Sequence, residues 1–391
     1  MLNGCSISPF LNKQEKENSL LIYADRVFDG HTIKTNTAVL ITGNKIARID
    51  SLDDFHIKPA KIINLGDATL LPGFIELHAH LSFKNVPAEI VLKHGITTIR
   101  DLGGPIHQPF GGDGRLRILT SGPIITAPNG YPIPIFGSDN VIPVSSESDA
   151  RQTVRSLIKK GAVVIKIALE PGGEKGAPWA SGHEHEHEHE HEHEHQKITS
   201  VEKQWPLLSE DIVTAIVDEA HKLNRKVTAH IGEAKGAEIS INSGVDEWAH
   251  VPCAAIPKNL LKKAVNQQIK IVSTIDTLSK CSGIFHNIKE LTSLGAEFLY
   301  GAEIAHKDIP WGIDAQELFY LKKYAKLSPL ELLQTITSKA GQHLNRPQLG
   351  SLKPGAHADI IAVKGNPLNN LKRLEYPDLV ISGGKIILDN F

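Results

Sequence analysis

Cysteine is scarce in this chain of 391 residues: Cys5, Cys253 and Cys281 are the only three. So few and so widely spaced, they exclude a disulfide-stapled scaffold and fit a reducing compartment, with no disulfide expected. An excess of one charge is also missing. Against 44 acidic side chains stand 42 basic ones, a formal net charge of −2, which argues against nucleic acid or an anionic membrane as partner. No apolar run approaches the roughly 20 residues of a membrane span. The N-terminus lacks a basic region followed by an apolar core, so no signal peptide is expected. Leu2-Asn3-Gly4-Cys5 has the letters of a lipoprotein cleavage site without the hydrophobic segment before it, and is read as chance. The expectation is a cytoplasmic protein.

What is present is an ordinary apolar content of 41% in a chain long enough for a barrel of about 250 residues plus a smaller domain. Short β-type runs at 20–23, 38–41, 45–49, 62–63 and 69–71 are separated by turns at Asp29-Gly30 and Gly43-Asn44. Alone they make an incomplete sandwich. Matching runs at 359–363, 379–382 and 385–388 supply its complement, so the two termini are expected to build one β-sandwich domain, residues 1–72 plus 346–391. Residues 73–345 alternate strand and helix signals, the pattern of βα units on a parallel sheet. Strands are read at 74–77, 95–102, 117–120, 163–168, 227–230, 245–250, 269–274 and 297–300. Helices are read at 149–160, after the cap Ser209, at 234–242, and from Ser328, where Pro329 and Glu331 complete a capping box. Eight such units fit an α/β fold of the (β/α)8 TIM-barrel class, whose active site lies at the strand C-termini.

The run Leu71-Pro72-Gly73-Phe74-Ile75-Glu76-Leu77-His78-Ala79-His80 organises the chain. Side chains alternate along a strand, so His78 and His80 share a face and offer half of a transition-metal site. A His-x-His pair alone is as readily a chance pair on a loop. Lys166 stands inside an apolar strand, where a lysine is most often an edge or snorkelling residue. His230 and His250 end the next two strands, and Glu303 follows Tyr300-Gly301-Ala302 after the last. Each has a bland reading, but all fall at βα junctions of one barrel.

These residues carry a resemblance. The runs 71–80, 95–103, Val164-Ile165-Lys166, Thr228-Ala229-His230, 244–250 and 349–359 resemble the metal-dependent amidohydrolase superfamily, in its imidazolonepropionase-like and prolidase-like branch, over about residues 20–390. The resemblance implies a binuclear divalent-metal site, zinc first among Zn, Co, Mn, Fe and Ni. His78, His80 and Glu303 would hold one ion, His230 and His250 the other, and Lys166, carboxylated to a carbamate, would bridge them. Carbamate formation needs a neutral amine, which burial and neighbouring cations favour. Metal-activated water would attack an amide carbonyl, and the carboxylate at 303 would relay the proton to the leaving amine. The chain departs from the family pattern in having Glu303 where aspartate is usual, one methylene longer. Asp308 is the alternative carboxylate. Glu76 stands where aspartate is common, and is read as a support for the ligands. The Asn129-Gly130-Tyr131 loop lacks the histidine that polarises the substrate carbonyl in many relatives, leaving Tyr131 as the donor.

Residues 183–195 alternate seven histidines with six glutamates, a low-complexity insertion after the Lys166 strand. It reads as a transition-metal binder, a solvated insertion without a role, or an internal purification tag. The sequence thus points to a hydrolase of an amide C–N bond in a dipeptide, an N-acyl amino acid or a cyclic amide, with Xaa-Pro dipeptidase-like and imidazolonepropionase-like activities among the options. The alternative is a protein of the same fold that turns over poorly and buffers metal through its His–Glu tract. A homo-oligomer is compatible with either.

Overall fold

The computed structural model describes residues 19–56, 59–83, 85–181 and 204–391. The His–Glu tract at 183–195 and Cys5 lie outside them.

Strands from both ends of the chain share sheets. Ser19–Ala24, Thr37–Thr42, Lys45–Ser51 and Lys61–Asn64 form a four-stranded sheet. In a six-stranded sheet Ala68–Pro72 lies between Arg26–Phe28 and Ile360–Lys364, with Ile360 opposite Pro72, and Leu379–Ser382 and Lys385–Asp389 continue outward. Ile22, Val39, Ile41, Leu70, Ile360 and Ile381 meet in one apolar cluster. Neither terminal set of strands could bury that surface without the other.

The intervening chain is a TIM-barrel-like α/β domain with parallel strands. Phe74–Ala79, Ile96–Asp101 and Arg117–Thr120 form one parallel sheet. Ile165–Leu169, Val227–Ile231, Glu247–Trp248, Lys270–Val272 and Phe298–Leu299 follow in order in a second. The two sheets meet at both edges: Val163 N–H donates to Thr120 O and His80 N–H to Ile304 O, each at 2.9 Å. The strands at 74–79, 165–169 and 227–231 are buried along their whole length. Covered strands of this kind read as continuous apolar runs rather than alternating ones. A lysine or histidine within them is therefore inside the protein.

The helices begin where their caps dictate. Ser146 accepts from Asp149 N–H at 3.2 Å, starting the helix Glu147–Lys160 two residues before the expected 149. Ser209 caps Glu210–Lys222, and Ser328 and Glu331 bond reciprocally at the start of Pro329–Thr335. Two features differ from the sequence reading. Ile124–Thr126 and Val141–Pro143 are additional strands after Arg117–Thr120, and Ile125, not Thr120, pairs with Ile167. Gly122-Pro123 interrupts the run, and strands of three residues are too short to show a period. Secondly, Cys253 and Cys281 form a disulfide, where none was expected. They lie 28 residues apart but follow adjacent parallel strands, whose loops share one rim, and sequence spacing does not reveal that proximity.

Candidate active site

The strand C-termini converge on a cluster of buried polar side chains. His78 and His80 leave the strand Phe74–Ala79 and its end on the same side, and their Nε2 atoms stand 3.2 Å apart. Two nitrogens on one tetrahedral ion, each at ~2.0–2.1 Å, would be about 3.3 Å apart. The His78 and His250 ring centroids are 4.5 Å apart, and those of His230 and His250 4.7 Å. Glu303 enters from the other edge, its carboxylate 3.9 Å from His78 Nε2, 3.7 Å from His80 Nε2 and 3.9 Å from His250 Nδ1. His78, His250 and Glu303 alone already satisfy the spacing of a metal-ligand group. Asp308 is exposed and stands outside that group.

The backbone is shaped to permit this approach. Glu303 has φ +63°, a left-handed conformation that costs a non-glycine residue free energy and tends to persist at functional sites. Gly301, just before the turn, has no room for a side chain: a Cβ there would lie 2.5 Å from Val272 Cγ1 and 3.0 Å from His78 Cβ. Glu76, wholly buried, ties the two edges together, accepting from His78 N–H at 2.6 Å and from Ala302 N–H at 3.2 Å. It thus fixes the backbone beside His78 and Glu303 to each other.

Electrostatics keep these imidazoles neutral, the form that binds a cation. Burial, then the Lys166 charge, pushes His78 and His80 well below the ordinary histidine value. The same two causes bring His230 to about 3. In His250 burial leads, followed by His230 and Lys166. Lys166 is only 2% exposed, and its pKa is lowered by burial, against the pull of Glu303 and Glu247. Burial raises Glu303 in turn, opposed by Lys166. Three buried atoms here, His80 Nδ1, Lys166 Nζ and Glu303 Oε2, have no hydrogen-bond partner among the described residues. Buried polar atoms are rarely left so, and of these the carboxylate oxygen Glu303 Oε2 is a ligand atom that fits a divalent cation.

Tyr131 flanks the cluster. Its ring stacks on His230 with centroids 4.6 Å apart, and burial, then Glu303, holds the hydroxyl well above the ordinary tyrosine value, so it remains a donor. A cavity of about 310 Å³ opens beside it, lined by Phe83, Ile135, Phe136 and Trp179 and by the polar side chains of Glu303, His306 and Lys307. Two residues here were not picked out from the sequence. Glu170 ends the Lys166 strand with Oε2 3.1 Å from His230 Nε2. Glu174, whose Oε2 accepts from Trp179 Nε1–H at 3.1 Å, lies against it. Burial raises Glu170 to about 7 and Glu174 to about 8.

The fold is shared with known proteins. The amidohydrolase family profile matches residues 69–387. Ochratoxinase of Aspergillus niger is 24% identical over 439 residues, covering 94% of this chain and 86% of its own. The crystal structure of A. niger ochratoxinase superposes with a TM-score of 0.73 at 20% identity, covering 95% of this chain and 96% of that one. A Xaa-Pro dipeptidase with bound methionine in its active site gives 0.71 at 22% identity, covering 94% and 99%. A prolidase complexed with N-methylphosphonate-L-proline gives 0.73 at 20% identity, covering 95% and 100%.

Proposed function

The chain belongs to the amidohydrolase family and is an amidohydrolase acting on carbon–nitrogen bonds; from that premise we propose that it cleaves its amide with water activated at a binuclear divalent-metal site. The observation that carries this reading is the convergence of His78 and His80 Nε2 at 3.2 Å in front of Glu303, above a buried and unpartnered Lys166 Nζ. His78, His80 and Glu303 would hold one ion and His230 and His250 the other, with Lys166 as a bridging carbamate. Zinc suits these ligands first, with Co, Mn, Fe and Ni also compatible. Such ions lower the pKa of bound water and polarise a carbonyl. Glu303, raised by burial, is suited to take a proton at Oε2 and return it to the leaving amine. Tyr131 donates from its hydroxyl to the substrate carbonyl oxygen. The apolar wall of Phe83, Phe136 and Trp179 excludes water and takes an apolar substituent, while Lys307 in the same wall offers a cation to a carboxylate. We therefore favour an N-acyl amino acid or a dipeptide over a cyclic amide. Among the structural relatives, the Xaa-Pro dipeptidase acts on the dipeptide class.

The same reading takes the two parallel sheets as one closed (β/α)8 barrel of residues 73–345. The terminal strands form a β-sandwich of 1–72 plus 346–391. The hydrogen bonds at both sheet edges and the shared apolar cluster support this division. No described helix is long and apolar enough to cross a membrane. The scarce cysteines suggest the cytoplasm, while the Cys253–Cys281 disulfide is a bond that persists in oxidising surroundings. The tract at 183–195, by composition, is proposed to bind transition metal.

Elemental analysis of the purified full chain and of a form lacking 183–195 tests the site. About two ions per chain in the deletion form, with one lost in His230→Ala or His250→Ala, is the expected result. A deletion form that stays metal-free after metal is added, and hydrolyses neither dipeptides nor N-acyl amino acids, would leave metal buffering by the tract as the function.

A further inference from the structure

Three of the four imidazoles in the site commit one ring nitrogen to an acceptor. His78 Nδ1 is 2.8 Å from Ala249 O, His250 Nδ1 is 2.8 Å from Thr274 Oγ1, and His230 Nε2 is 3.1 Å from Glu170 Oε2. The first two are neutral groups; the third is a carboxyl. A ligating histidine whose other N–H is held by a carboxylate is fixed in tautomer and ring orientation and becomes a stronger base.

We infer that Glu170 is a positioning residue for the second metal ion, accepting a hydrogen bond from His230 Nε2–H so that the lone pair is left on Nδ1 for the cation. This rests on the binuclear reading above.

The surroundings of Glu170 are built to hold it there. Its Oε1 accepts from Gly172 N–H at 2.7 Å, so both oxygens are engaged and the carboxylate plane is fixed. Glu174 packs against it and is anchored in turn by Trp179 Nε1–H. Gly232, two residues after His230, leaves the space that the pair occupies: a Cβ there would stand 1.9 Å from Glu170 Oε2 and 2.8 Å from Glu174 Oε1. Glu170 is 1% exposed, and the backbone of its own loop and the ring of His230 account for both its oxygens. Solvation is therefore not what retains a carboxyl at this position. The arrangement also couples the site to the loop leading toward Trp179, a wall of the substrate cavity.

The test is metal retention, with no reliance on turnover. The holo full chain, Glu170→Ala, Glu170→Gln and His230→Ala are dialysed against a graded chelator series, and metal per chain is read by elemental analysis. Glu170→Ala is expected to weaken retention of one ion by about 10- to 100-fold, the usual effect of removing such a partner. Glu170→Gln keeps one acceptor for Nε2–H but sets its amide NH2 against Gly172 N–H and removes the charge, and should restore only part of it. Retention in Glu170→Ala within twofold of the native chain, while His230→Ala loses an ion, overturns the inference and leaves the binuclear reading standing. If His230→Ala keeps both ions, the binuclear reading itself fails. Should Glu170→Ala lack a native near-UV circular dichroism spectrum, Gly232→Ala carries the test. Its methyl would displace the carboxylate without deleting it, and unchanged retention there overturns the inference as well.

Discussion

Glu303 concentrates the chemistry into one side chain. It is held at φ +63° with Oε1 facing His78 and His80 and Oε2, which faces His250 at 3.9 Å, without a hydrogen-bond partner among the described residues. Glu303→Gln keeps size and shape but removes the base, and should lower the hydrolytic rate by about 10²- to 10⁴-fold while leaving the thermal midpoint within a few degrees; a steady-state assay paired with a melting curve decides it. Glu303→Asp should remain active with the same substrate, because aspartate is the usual carboxylate of the family and accepts positive φ more readily. Hydrolysis gained only in the Asp form would mean that the native chain does not turn over. Lys307 gives a softer prediction. It is exposed, so pairing with a substrate carboxylate contributes at most about 1 kcal/mol, and Lys307→Ala should raise KM by about two- to fivefold with kcat little changed. The sequence made His78, His80, Lys166, His230, His250 and Glu303 legible, because each stands out against an apolar run or follows a strand. Glu170 and Glu174 were not legible. They sit in Glu170-Pro171-Gly172-Gly173-Glu174, which has the composition of a plain turn, and only the fold shows that the turn folds back on His230.

At the scale of elements, loops after neighbouring strands bear on one another. The disulfide joins the loop after Glu247–Trp248 to the loop after Lys270–Val272. Both press on the segment carrying Glu174: Cys281 precedes Ser282, whose N–H donates to Lys175 O at 3.3 Å, and Cys253 Sγ lies 4.0 Å from the same carbonyl. Closing a loop of this length removes about 3–4 kcal/mol of unfolded-state freedom. Denatured without reductant, the chain should show one free thiol, Cys5, and three after reduction; a count of three from the start would mean that the disulfide does not form. Cys253→Ser with Cys281→Ser should lower the melting midpoint by several degrees and loosen the Trp179 wall of the cavity. Most elements were readable from the sequence: caps at Ser209 and Ser328, apolar strands and matched terminal runs each report a local preference. The extra strands at 124–126 and 141–143 and the disulfide depend on which loops meet, and local sequence does not encode that.

The molecule as a whole is pinned through its interior by one buried network. Arg100 donates to Glu247 at 2.7 and 3.1 Å and to Leu77 O at 2.7 Å. Thr228 Oγ1 donates to Glu247 at 2.5 Å, and His343, on a helix near the C-terminal strands, bonds the same carboxylate. Four segments distant in sequence thus share one charge that is 1% exposed. Burial alone would raise the pKa of Glu247, but Arg100 and His343 overcome it and hold the group well below the ordinary glutamate range. A carboxyl whose folded pKa is depressed contributes stability that is fully present above its unfolded value, about 4.3, and lost as the pH falls below it. His343, lowered by burial, adds loss of the same sign from the ordinary histidine value downward. The stability difference between the native chain and Glu247→Gln should therefore be constant near neutrality and shrink steeply below about pH 4.3. Glu247→Gln leaves Arg100 buried without its counter-charge and should cost about 3–5 kcal/mol at pH 7. A Glu247→Gln protein as stable as the native chain at pH 7, or one whose deficit does not shrink in acid, would show that the charge is spectator to the fold rather than the pin between its two ends.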